Sequence, residues 1–312
     1  TNNMKQLSPL VIVHGNCMDG MGAAVCAYLA LAELNVEIVP AYYGNPPPDV
    51  TDRDVHIFDF SYPRNVLLDM HDKAKSLKVI DHHDSAQKDL VGLEFAHFDQ
   101  TKSGAVLAWE YFNPGETVPL LLQYIQDRDL WQWQLPQSRE VNESLRMCIA
   151  CTLDEFETDI VKLGKLICGD PVPEDQVIQR LASSGGVVLS VKNQFIENSV
   201  QHSFYLTVPL IDGNITVLAA FAQNKIGSEV GGALAKLSPS GCGMVITSPG
   251  SDSGTKFGLS LRGVPETDVA QRVAKHYGGG GHLCAAGAGI TLQQFQQLMS
   301  TMTMSTSAEP AL

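Results

Sequence analysis

Residues 10–19 read LVIVHGNCMD. Four β-favouring apolar residues lead to His14, Gly15 and Asn16 open a turn, and Asp19 follows. A short apolar run bounded by turn residues reads as a buried strand. The Ala-rich segment behind it, 21–34, reads as a helix. Three more short runs repeat the form: EIVPA at 37–41, DVHIFDF at 54–60 and LKVI at 77–80, with a helical segment at 64–75 between the last two. Strands alternating with helices of this length predict an α/β fold whose mostly parallel sheet is covered on both faces.

Further along, 95–98 reads as one more strand. Ser103 has the place of a helix N-cap before 105–111. The segment 120–131 is helical in pattern, and helical stretches continue to about residue 167. Residues 145–153 read as a buried helix, with Cys148 and Cys151 as small core residues; no second Cys or His pair follows at zinc-finger spacing. GDPVP at 169–173 punctuates the chain, and 174–200 reads as one long helix although SSGG at 183–186 weakens it. The texture then changes. Strands at 204–210 and 214–220 flank Asp212-Gly213, a helix covers 226–237, strands cover 243–247 and 256–261, and a helix covers 264–276. Four glycines, 278–281, precede His282. The expected organisation is a first domain over 1–172, a connecting helix over 173–200 and a smaller α/β domain over 201–312. The Ser-, Thr- and Met-rich tail from residue 300 is expected to fray.

Composition narrows the function. The 312 residues are 44% hydrophobic and 18% charged, ordinary for a chain with a sizeable core. No run approaches the roughly 18 apolar residues of a transmembrane helix, so no membrane partner is expected. Residues 1–8 are polar and lack the apolar stretch of a signal peptide. Seven scattered cysteines fit a reducing, cytoplasmic setting. A net charge of −13 argues against a broad surface for long duplex nucleic acid, because phosphate contacts need Lys and Arg. It leaves room for a local metal centre that attracts phosphate.

The acids and histidines fall where such a centre would form. His14 ends one predicted strand and Asp19 lies just after it. Asp59 is near the end of a second strand, and Asp81, His82 and His83 close a third. Ligands of open parallel sheets bind outside the carboxyl ends of the strands, so three segments converge there by topology alone. Carboxylate and imidazole suit Mn²⁺, Mg²⁺, Fe²⁺ or Zn²⁺. Two such ions about 3.5–4 Å apart are a common solution for phosphate ester hydrolysis. Asp127 and Asp129, in QDRDLW at 126–131, flank an arginine near a helix end; the apolar residues around them point to partial burial, and a buried acid wants a cation. In the second domain, the glycine run could present backbone N–H groups to an anion, with His282 as a donor and Arg262 as a phosphate clamp. Tyr42, Tyr43 and Tyr62 could stack a base, although packing is their commoner fate.

IVHGNCMDGMGAA, FDFS, VIDHHDS and QDRDLW, in that order, resemble the successive motifs of the DHH phosphoesterase superfamily, and GGGGHLCAAGA resembles its accessory DHHA1 domain. The resemblance runs from about residue 11 to 290 and is nearest the DHH–DHHA1 group with oligoribonuclease-like and cyclic-dinucleotide-cleaving members. It implies that Asp59 bridges two Mn²⁺ ions, that Asp19, His82 and Asp127 complete one site, and that His14 belongs to the other. It implies that His83 contacts phosphate, that Asp81 orients a histidine, and that Arg262, Gly279, Gly280, Gly281 and His282 bind substrate. Many members carry an Asp where this chain has Cys17; a thiol is a poor Mn²⁺ ligand, so that site is expected to be weaker or to select another ion.

The expected activity is therefore hydrolysis of short oligonucleotides or cyclic dinucleotides by metal-activated water, with two Mn²⁺ ions, or Mg²⁺, Co²⁺ or Zn²⁺ in their place. A phosphoanhydride hydrolase would use the same residues, and a single-strand exonuclease would need a basic channel. A sensor with a decayed centre is the non-enzymatic alternative that Cys17 raises. A homodimer is the prior for oligomeric state.

Overall fold

The computed structural model describes residues 7–169, 172–248 and 257–304. The chain divides into two compact units, 1–189 and 190–312. In the first, the strands are β1 (Leu10–His14), β2 (Glu37–Ala41), β3 (Asp54–Phe58), β4 (Ser76–Asp81) and β5 (Ala96–Phe98). The helices are α1 (Met18–Leu31), α2 (Arg64–Lys73), α3 (Asp84–Asp89), α4 (Gly104–Phe112), α5 (Leu120–Asp129), α6 (Ser138–Cys148) and α7 (Phe156–Cys168). The long α8 (Glu174–Gln201) carries the chain across the boundary between the units.

The five strands form one all-parallel sheet in the order β2-β1-β3-β4-β5. Alternation along β1 shows why both faces are covered. Val11 and Val13 belong to a core with α1 and α4–α8, whereas Leu10 and Ile12 belong to a second core with Leu67 and Met70 of α2. The α/β expectation holds. The chain turns one way from β1 to β2 and the other way to β3, so the order reverses between β1 and β3. A crevice opens at such a switch point, at the carboxyl ends of the two strands. His14 ends β1, and Asp59 directly follows β3.

Small residues set the spacing. Gly20 lies where an added Cβ would meet the His14 carbonyl oxygen at 2.1 Å, and Gly22 where one would meet the Ala105 Cβ at 2.7 Å. They seat α1 tightly on the end of β1 and on α4. Gly185, within the run that weakened the helix reading of α8, packs onto the Glu140 carbonyl, where a Cβ would lie 1.7 Å away. The glycine there serves close approach of helices, and tertiary packing overrides its poor propensity.

Two local expectations change. The buried helix over 145–153 stops at Cys148; Cys148 is exposed, while Cys151 is buried in a non-helical segment at φ 56°. Part of the tail expected to fray, Thr303–Met304, is instead a strand paired with Phe204 and Tyr205; residues 305–312 lie outside the described residues. Ser103 caps α4 as expected, its hydroxyl accepting from the Val106 N–H.

The second unit holds β6 (Phe204–Leu210), β7 (Gly213–Phe221), α9 (Gly227–Leu237), β8 (Cys242–Thr247), β9 (Phe257–Gly263), α10 (Val269–His276), β10 (Gly280–His282), β11 (Ala285–Ile290), α11 (Leu292–Met299) and β12 (Thr303–Met304). Its mixed sheet runs β10-β11-β9-β8-β7-β6-β12, with β7 and β8 parallel and the other pairs antiparallel. Residue 256, included in the expected strand, lies outside the described residues. Among the described residues, no helix is long and apolar enough to cross a membrane.

Candidate metal centre

The carboxyl ends of β1, β3 and β4 gather His14, Cys17, Asp19, Asp59, Asp81, His82 and His83, and the end of α5 adds Asp129. Three overlapping sets bring potential ligand atoms within 4.8 Å of one another: His14, Cys17 and Asp59; Asp19, His82 and Asp129; and Asp59, Asp81, His82 and His83.

Asp59 is central. It is 1% exposed and sits at φ 56°, the left-handed region that a non-glycine residue adopts only when its surroundings hold it there. Its N–H donates to the Ile80 carbonyl at 3.1 Å, fixing the turn after β3. Oδ1 lies 3.1 Å from His82 Nε2, whereas Oδ2 lies 3.7 Å from His14 Nδ1. The second distance is too long for a hydrogen bond. Asp59 Oδ2 and His14 Nδ1 are both buried without a hydrogen-bond partner. Burial opposes ionisation of Asp59, but the imidazoles of His14 and His82 outweigh it and hold the carboxyl at about 2.

Asp19 lies in the first turn of α1, 1% exposed. It accepts from the N–H groups of Gly104 at 2.5 Å and Ala105 at 3.0 Å, so the start of α4 holds it. Even so, burial and then repulsion from Asp59 and Asp129 push its carboxyl well above the usual range. Asp129 is raised likewise, by burial and by Asp59, and its carboxylate lies 3.5 Å from His82 Nε2. Three acids crowded around one imidazole are costly unless a cation joins them.

His82 faces Asp59 and Asp129, which raise it against the opposing effect of burial. His83 is different: its Nδ1 is 2.7 Å from Asp81 Oδ1, a contact that pushes it up to about 9. Asp81 is fully buried; its other oxygen accepts from the Ser61 hydroxyl at 2.8 Å, and Oδ1 also accepts from the His82 N–H at 2.7 Å. It thus fixes both the tripeptide turn and the orientation of the His83 ring. Cys17 precedes α1, and burial, followed by Asp59 and Asp19, pushes its thiol upward.

Asp127 sits apart from the other acids. It is 3% exposed, but its carboxylate accepts from the N–H groups of Gln134 at 2.8 Å and Leu135 at 3.2 Å. It ties down the loop after α5 and is absent from the three ligand sets. Residues two apart on a helix point away from each other, and it is Asp129 that reaches His82. Of the aromatics, Tyr62 is buried in the core, Tyr42 packs over Gly15, and Tyr43 is 60% exposed with its ring 5.4 Å from that of His14.

Arg262, Gly279, Gly280, Gly281 and His282 all lie in the second unit. The Arg262 guanidinium donates to the Ser228 hydroxyl at 2.7 Å and the Leu261 carbonyl at 2.9 Å. The glycine run is partly an edge strand rather than a loop: β10 pairs with β11, and added Cβ atoms at Gly279 and Gly281 would meet the Gly287 and Ala285 carbonyl oxygens at 2.1 and 2.5 Å. Strand packing accounts for those two glycines. Gly280 has open space where a Cβ would lie, and His282 is exposed.

No family model matches the chain. In sequence it is similar to the uncharacterized protein R106 of Acanthamoeba polyphaga mimivirus, 23% identical over 295 residues that cover 89% of this chain and 66% of that protein. It is also similar to oligoribonuclease NrnB of Bacillus subtilis strain 168, 22% identical over 231 residues that cover 70% of this chain and 54% of that one. The chain thus spans less than two thirds of the length of either relative. Its fold is similar to that of PggH, a pGpG-specific phosphodiesterase from Vibrio cholerae, with a TM-score of 0.55, 14% identity, and 94% and 97% of the two chains covered. A manganese-bound exonuclease RecJ gives a TM-score of 0.51 at 15% identity, with 94% and 88% covered. Fold and site together define a two-unit α/β protein with acids and histidines clustered at the switch point of a parallel sheet. The fold, a parallel-sheet unit and a mixed-sheet unit on one chain, is the one it has in common with PggH and RecJ.

Proposed function

We propose that this protein is a metal-dependent phosphodiesterase acting on short oligonucleotides or cyclic dinucleotides, with its centre in the first unit. One observation carries the reading: the two oxygens of the buried Asp59 face different ligand sets, and Oδ2 and the opposing His14 Nδ1 are buried without partners. Such orphans are costly unless something absent from the protein alone completes them. A divalent cation does so with oxygen and nitrogen donors of this kind.

In this proposal Asp59, whose two oxygens face His82 and His14, would serve both ion sites. Asp19, His82 and Asp129 would hold one ion; His14 and Cys17 would be the remaining donors for the other. When bound, the ions lower the pKa of water and neutralise charge on the phosphoryl group. The rest falls to the chain. Asp81 keeps His83 protonated at neutral pH through Nδ1, which leaves Nε2 as a cationic donor for a phosphoryl oxygen or for the departing alkoxide. The start of α4 keeps Asp19 in place before any ion arrives. In the second unit, Arg262, the open face at Gly280 and exposed His282 are the proposed contacts to substrate; Gly279 and Gly281 shape the strand that carries them. The net charge of −13 favours short substrates over long duplexes. The names of NrnB and PggH point to the same class. Seven free cysteines fit work in the cytoplasm.

The test is a substrate panel with Mn²⁺: linear and cyclic dinucleotides, a longer single strand, pyrophosphate and polyphosphate, each with wild type and Asp59→Ala. Diester cleavage abolished by Asp59→Ala is the expected result. Orthophosphate released only from the anhydrides moves the assignment to the phosphoanhydride hydrolase. Dinucleotide binding without turnover, in any divalent metal, makes the protein a sensor.

A further inference from the structure

Beside the acid and histidine cluster, within the first unit, lies a cavity of about 410 Å³. Cys17 and Asp129 are on its lining, as are Arg128, Arg146 and Trp131. The chain has 21 basic residues against 34 acidic ones, so two guanidinium groups on one cavity run against its overall balance. Of the acids nearby, Asp129 is turned to His82, and Glu143 acts on Arg128.

Trp131 is 70% exposed and sits at φ 55°, an uncommon backbone state for an aromatic residue. An exposed indole contributes little to a core, yet this one is held in place. Its ring lies edge-on to Trp133 at 5.0 Å, and the Arg139 guanidinium lies over Trp133 at 4.3 Å. Asp127 fastens the same loop through Gln134 and Leu135. The fold therefore presents an exposed aromatic face beside two arginines and next to the proposed reaction centre.

We infer that this cavity is a subsite for the terminal phosphate and adjoining base of a short linear oligonucleotide, with Arg146 and Arg128 on the phosphate and Trp131 stacked on the base. This rests on the phosphodiesterase reading above and narrows its substrate. A terminal phosphomonoester carries about −1.5 to −2 at neutral pH, a better match for two guanidinium groups than the single charge of an internal diester. A cyclic dinucleotide has no such terminus. Linear chains are therefore the preferred substrates.

The test uses the full-length protein with Mn²⁺ and three linear dinucleotides: 5′-phosphorylated, 3′-phosphorylated and unphosphorylated. In parallel, tryptophan fluorescence is titrated with adenosine 5′-monophosphate, adenosine 3′-monophosphate and adenosine, which requires no turnover. One phosphorylated form should be favoured about tenfold or more in kcat/KM, mainly through KM, and its position gives the end that is bound. Arg146→Gln should bring that ratio close to one. Trp131→Ala should weaken the favoured dinucleotide about tenfold and remove the fluorescence response to the matching monophosphate. A wild type indifferent to the terminal phosphate, or an Arg146→Gln variant that keeps the full preference, overturns the subsite while the phosphodiesterase reading stands. If the wild type cleaves none of the dinucleotides, that reading fails, and the fluorescence titration still decides the subsite: a response equal for adenosine and both monophosphates overturns it.

Discussion

Gly104→Ala tests whether the centre is as tightly built as its geometry implies. Gly104 opens α4, and a Cβ added there would lie 2.3 Å from the Asp59 Cβ, 2.8 Å from its Cγ and 2.9 Å from its Cα. Ordinary carbon contacts are about 3.5–4.0 Å, so something must give way by more than about 1 Å. Asp59 has little freedom, being 1% exposed, bonded to the Ile80 carbonyl and already at φ 56°. If α4 yields instead, the Gly104 and Ala105 N–H groups leave the Asp19 carboxylate. Either way a proposed ligand moves. Overpacking of this kind costs about 1–3 kcal/mol, offset in part by the better helix propensity of Ala, about 1 kcal/mol. A displacement of about 1 Å at a reacting centre can cost about 100-fold in rate. The expected outcome is a folded protein with a melting temperature lower by several degrees, weaker Mn²⁺ binding by calorimetry and diester turnover reduced about 100-fold. Gly232→Ala is the control, because it lies inside α9 with open space at the Cβ position and should leave turnover unchanged. A Gly104→Ala protein with turnover and Mn²⁺ affinity within threefold of wild type would falsify the claim that this contact sets the site.

Asp127→Ala and Asp129→Ala should separate cleanly. The first strands two backbone N–H groups and should destabilise the fold by about 1–3 kcal/mol or more, whereas the second should weaken Mn²⁺ binding with little loss of stability. Equal losses of metal affinity in chelator-stripped and reloaded samples would count against this division. In the metal-free protein, Asp19, Asp129, His82 and His83 all bind their protons more tightly when folded than when unfolded. Each stabilises the fold at low pH and loses that contribution as pH rises through its folded value. For His83 the loss spans pH 6.5 to about 9. Asp59, held at about 2, changes nothing in that window. Melting curves should therefore show metal-free stability falling from pH 6.5 to 9 and the increment given by Mn²⁺ growing; a constant increment would contradict it. Asp81→Asn should let the His83 pKa drop from about 9 towards its ordinary value, read by NMR titration of the ring; no movement would mean that Asp81 does not hold that proton. Cys17→Asp should tighten Mn²⁺ relative to Zn²⁺ in competition calorimetry, because a hard oxygen replaces a soft sulfur; an unchanged ratio would remove Cys17 from the ligand set.

The sequence by itself determined the alternation of short apolar runs with helical segments, and hence the parallel sheet. It also placed His14, Asp59 and the Asp81-His82-His83 turn at strand ends, because strand periodicity and turn chemistry are local properties. The cap at Ser103 and the long α8 were legible for the same reason. Tertiary structure decided what depends on distant neighbours. QDRD offers two acids, and local pattern alone does not show which one faces the cluster. The N–H groups of Gln134 and Leu135 take Asp127, and the rotation of the helix delivers Asp129 to His82. The glycine run at 278–281 reads as a backbone cradle for an anion, but packing against β11 accounts for Gly279 and Gly281, and the run leads into an edge strand from Gly280. The left-handed backbone of Asp59 and the contact of Gly104 with it have no local signature, since both arise where β3, β4 and α4 meet.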